Sequence, residues 1–133
     1  MTSAALPLDA MNGVAGPGAA AELAAEALRV VNRLTIGAPS PGVAGWEEVG
    51  DLYRVLGELR VHTERLPQAL GQLARHLERP RDGIYYRSDS GTCEHAETLV
   101  TTAVMALEDA ERDVRQVGIN LSAAQSAVAH LYT

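Results

Sequence analysis

The residues best suited to chemistry gather between two helical stretches. Arg81, Tyr85, Tyr86 and Arg87 stand within seven positions of each other. Tyr and Arg dominate binding hot spots, because each gives large contact area and hydrogen bonds at low entropic cost. Planar guanidinium groups also suit phosphate or carboxylate. The plainer alternative is a solvated loop in which Ile84 and one Tyr cap the end of a bundle. Next to this stretch, His76 stands near the end of the preceding helix, and Cys93, Glu94 and His95 open the following one. Imidazole, thiolate and carboxylate are zinc ligands, so His76, Cys93 and His95 are metal-ligand candidates. Consecutive helical residues diverge by about 100°, however, and a lone Cys on an apolar seam usually packs as a small hydrophobe. The expectation is therefore no metal and no cofactor.

Other catalytic signatures are missing from the sequence. There is no glycine-rich phosphate loop, no G-x-S-x-G and no H-E-x-x-H. No Glu with Glu-x-x-His set occupies core-facing positions, since Glu64, Glu97 and Glu108 fall off the seams. The run Glu108, Asp109, Glu111, Asp113 reads first as a solvated face and second as an imitation of phosphate spacing. The expected class is non-enzymatic.

The elements that position these residues are read from hydrophobic spacing. Cys93, Ala96, Val100, Ala103, Leu107, Ala110, Val114, Val117, Leu121, Ala124, Val128 and Leu131 alternate steps of three and four. That is a heptad seam on one long helix, from 93 to 133. Residues 46–78 carry a second seam: Val49, Leu52, Leu56, Leu59, Thr63, Leu66, Leu70, Leu73 and Leu77. Large Leu side chains there match mostly small Ala on the other seam, so the two axes can approach closely. Pro67 lies inside this helix, and its ring clashes with the Thr63 carbonyl while removing its hydrogen bond. A bend is expected, with the Thr63 hydroxyl or a water meeting the freed backbone. Residues 79–92 connect the two helices. Asp82-Gly83 is a turn signal, and Ser90 or Thr92 can cap the last helix.

A shorter helix is expected over 19–35, with Leu23, Ala27, Val30, Val31 and Leu34 on one face and Glu26 within reach of Arg29. Gly37, Pro39, Pro41 and Gly42 end it. Residues 1–18 read as a flexible arm, and 19–133 as a single helical-bundle domain. The fold class is all-α: a long antiparallel helical hairpin with a shorter N-terminal helix packed across it, coiled-coil-like in its seams.

Composition sets the remaining bounds. The formal net charge is −6, which argues against direct nucleic-acid binding. One Cys excludes an internal disulfide framework. No secretory signal and no membrane-spanning apolar run are recognised, so a cytoplasmic location is expected. All 11 basic residues are Arg, and with the Ala richness this points to a GC-rich, actinobacterial source.

The stretch Asp51-Leu-Tyr-Arg-Val-Leu-Gly-Glu-Leu, followed by Arg65-Leu-Pro-Gln-Ala-Leu-Gly-Gln-Leu-Ala-Arg-His-Leu, resembles small all-helical proteins of streptomycetes. The resemblance implies source and a helical fold, and no activity. The functional expectation is a protein–protein interaction or regulatory module, with a homodimer or an unidentified protein as partner. The alternatives are a small-ligand or metal-binding bundle with its site at the 79–95 end, and an acidic nucleic-acid mimic.

Overall fold

A computed structural model describes residues 15–80, 83 and 85–132. Three helices occur in chain order: α1 (Gly16–Leu34), α2 (Val49–Glu78) and α3 (Cys93–Val128). The described residues contain no strand. None of these helices is long and apolar enough to cross a membrane. The chain divides into two units, Met1–Glu47 and Glu48–Thr133.

In the first unit, α1 begins three residues earlier than its periodicity suggested. Gly16 takes a φ of 85°, open to glycine without strain, and Pro17 follows in the first turn, where its missing N–H costs nothing. Arg29 donates through Nε to both Glu26 carboxylate oxygens at 3.0 Å. The helix stops at Thr35, whose hydroxyl donates to the Val31 carbonyl at 2.8 Å. Trp46 does not open the second helix, as the spacing predicts. Its indole N–H instead donates to the Gly37 carbonyl at 2.7 Å, and the Ser40 N–H donates to the Trp46 carbonyl at 3.0 Å. These bonds close the Pro- and Gly-rich segment into a compact loop.

In the second unit, α2 and α3 form an antiparallel hairpin. The Asp51 carboxylate accepts from the Glu48 N–H at 3.2 Å at the start of α2. The Thr92 hydroxyl accepts from the His95 N–H at 3.2 Å at the start of α3. Each bond meets an orphan donor at a helix N-terminus. Three close approaches fix the register. Gly57 faces Gln125, Thr63 faces Gly118, and Gly71 faces Glu111. Fourteen residues forward along α2 thus match fourteen back along α3. At Gly118 a methyl group would lie only 2.7 Å from Thr63 Oγ1.

The facing residues differ from the predicted seams by one position over part of each helix. Pro67 and Ala74 are buried, whereas Leu66 and Leu73 are 45% and 53% exposed. On α3, Gly118 and Gln125 face α2, whereas Val117 is 48% exposed and Ala124 is exposed. Each helix takes one extra four-residue step, at Thr63–Pro67 and at Val114–Gly118. Steps of four keep pace with the natural 3.6-residue turn, and small residues at the contact let the backbones close in. Cys93 and Leu131 also leave the predicted seam: Cys93 is exposed in the first turn of α3, and Leu131 lies beyond the end of the helix. The Thr63 hydroxyl donates to the Arg60 carbonyl at 2.6 Å, not to the carbonyl freed by Pro67.

Candidate functional site: an apolar hairpin face and a loop-end cavity

At about 100° per residue, Leu52, Leu59, Leu66 and Leu73 form a stripe displaced to one side of the line from α2 to α3. Leu99, Ala106, Val117 and Ala124 form the matching stripe on α3, displaced in the same rotational sense. Because the helices are antiparallel, equal displacements bring both stripes to one side of the hairpin. Among them Leu66, Leu73, Leu99 and Val117 are each between 45% and 53% exposed. The hairpin thus has one apolar face built equally from both helices.

The opposite face mixes charged groups with two isolated exposed apolar side chains of α3, Met105 and Ile119. Arg60, Glu64, Arg115 and Ser122 from the two helices converge there around a shallow cavity of about 380 Å³. Arg115 pairs with Glu111 at 2.6 Å, and Arg112 pairs with Asp109. So two members of the acidic run 108–113 engage Arg side chains of their own helix, as i,i+3 and i,i+4 spacing permits.

Very little of the hairpin is buried: Pro67 and Ala74 on α2, Ala96 and Val104 on α3. None of the described residues is both large and fully buried. Two helices side by side can cover only the strip between them, so the Leu side chains on the apolar face stay in contact with solvent.

At the loop end, Tyr86 Oη donates to the His76 carbonyl at 2.9 Å. This ties the connection back to the last turn of α2. Tyr85 is 84% exposed. Tyr85 and Tyr86 border an open cavity of about 550 Å³ between the end of α2 and the start of α3. Cys93 borders it too, and also a neighbouring cavity of about 300 Å³ that includes Arg87. Arg81 lies outside the described residues. The structure therefore brings Tyr85, Tyr86 and Cys93 together, and sets Arg87 on the adjoining cavity. Among the described residues, the charges on the larger cavity are those of Glu78 and Glu97, which the sequence reading did not place at this site. No local sequence signal marks them, because they are distant in the chain and meet only through the hairpin register.

His95 Nε2 lies 4.0 Å from Asp89 Oδ1. The His76 carbonyl, not its ring, makes the bond to Tyr86. Among the described residues no three His, Cys, Asp or Glu side chains converge as a metal set. The candidates His76, Cys93 and His95 thus do not assemble into one.

Comparison with known proteins finds no matching family model, curated protein or solved structure.

Proposed function

We propose that the chain is a non-enzymatic helical interaction module, and that its apolar hairpin face packs against the same face of a second copy. The observation that carries this is the partial exposure of Leu66, Leu73, Leu99 and Val117, contributed by both helices to one side of the hairpin, whereas the other side sets Arg60, Glu64 and Arg115 beside Ile119 and Met105 of α3 alone. In a four-helix bundle each helix touches two neighbours, so its apolar stripe aims between them and not straight at either. The stripes of α2 and α3 aim in that way. Seam residues such as Thr63 and Ala96 face the paired helix, whereas Leu66, Leu73 and Val117 of the same seams turn toward the open face.

A second copy fits the dimensions. α2 has 30 residues, so the face is about 45 Å long and about 20 Å wide. Roughly 900 Å² per copy falls within the size of stable protein–protein interfaces. A two-fold axis gives each stripe an identical, self-complementary partner. By length alone α1, with 19 residues and about 28 Å, spans little more than half of this face.

The test is a pair of substitutions with opposite expectations. Leu66→Asp places a charge on the exposed stripe and converts a dimer to a helical monomer. Leu107→Asp places one between α2 and α3 and abolishes the helical fold. If Leu66→Asp leaves the mass unchanged, the face is not the interface.

A further inference from the structure

The geometry points to the loop-end cavity as a binding site for a small organic cation: an ammonium group carrying an apolar body. Three observations converge. Its floor is apolar, formed by Leu77 of α2 with Ala96 and Val100 of α3. Its aromatic wall is Tyr85 and Tyr86, the latter held by its bond to the His76 carbonyl. Its charged groups are the carboxylates of Glu78 and Glu97, neither of which has an ion-pair or hydrogen-bond partner among the described residues.

The charge decides the ligand class. Two carboxylates without a partner among the described residues repel an anion and attract a cation. The negative end of the α2 dipole and the positive end of the α3 dipole both border the cavity and offset one another, so the side-chain charges decide. Tyrosine ring faces carry negative potential and attract ammonium groups, most strongly where water is partly excluded. The sequence groups Arg81, Tyr85, Tyr86 and Arg87 as one partner- or ligand-binding stretch. Arg87 instead borders the neighbouring cavity with Ser88 and Thr92. The apolar floor asks for a hydrocarbon body on the cation, since a bare metal ion gains nothing from Leu77 and Val100. Glu97 lies on the flank of α3 away from Leu99, so the cavity stays open when the apolar face is covered.

The experiment is a chemical-shift titration of the full chain with benzyltrimethylammonium and, separately, with neutral benzyl alcohol. The expected result is saturable shifts at Tyr85, Tyr86, Glu97 and Val100, with the cation binding about fivefold more tightly or better. That ratio corresponds to one partly exposed charge interaction. A Glu78→Gln/Glu97→Gln variant, isosteric and on exposed positions, should remove this preference while keeping its helical spectrum. Tyr85→Ala, at a position 84% exposed and so without cost to the fold, should weaken the cation several-fold. Equal affinity for cation and alcohol, an unchanged preference in the double variant, or shifts confined to other residues would each overturn the assignment.

Discussion

Gly118 of α3 lies directly against Thr63 of α2: a Cβ at position 118 would stand 2.7 Å from Thr63 Oγ1 and 3.3 Å from its Cβ. The Thr63 hydroxyl cannot turn away freely, because it donates to the Arg60 carbonyl at 2.6 Å. This close approach of the two helices thus depends on a glycine in the middle of a helix, where glycine is otherwise unfavourable. Gly118→Ala should gain about 1 kcal/mol of helix propensity and lose about 1–3 kcal/mol to overpacking. The expected net effect is destabilisation by about 1 kcal/mol in urea unfolding at fixed protein concentration. Adding Thr63→Ala, which removes the nearest atom, should restore most of it. An alanine at 118 that stabilises the parent would show that the backbones are not in this contact.

Gly57 provides the contrasting case. Its added Cβ would meet the Gln125 Nε2 at 2.6 Å, but that atom ends a flexible side chain which can swing outward. Gly57→Ala should therefore keep the propensity gain and raise stability by about 0.5–1 kcal/mol. The two alanine variants, read under the same conditions, should move the unfolding midpoint in opposite directions.

In α1 the Arg29 guanidinium, hydrogen-bonded to Glu26, holds that carboxyl below its ordinary pKa, and the positive charge of Arg33 adds to the effect. A depressed carboxylate pKa stabilises the folded helix above the ordinary titration range and loses that contribution as pH falls through the lowered value. An NMR titration should find Glu26 ionising at lower pH than in an Arg29→Ala variant. Identical titration curves would remove the ion pair from the solution structure.

The two long helices and their antiparallel pairing were legible because steps of three and four persist through both segments without interruption, and because Gly and Pro cluster between them. What heptad reading could not supply was the one-residue offset at Leu66/Pro67 and Val117/Gly118. A hydrophobic pattern locates the centre of an apolar stripe. It does not say whether that centre faces one neighbour or lies between two. Gly118 and Ala74 carry little hydrophobic signal, yet they make the contact because they are small. Trp46 looked like a helix start because it is apolar and in register, but the indole N–H found a carbonyl nine residues back at Gly37. At the loop end, Tyr85 and Tyr86 stood out by residue type. Glu78 and Glu97 did not, since their meeting depends on where α2 stops and α3 begins.

The most direct measurement is sedimentation equilibrium of the unmodified chain at micromolar concentration, beside Leu66→Asp. Pairing through the apolar face predicts twice the chain mass of 14.1 kDa for the parent. It predicts a folded species of the single-chain mass for the variant. A parent that remains a monomer across the concentration range would contradict the proposed interface and leave its Leu stripe to another occupant.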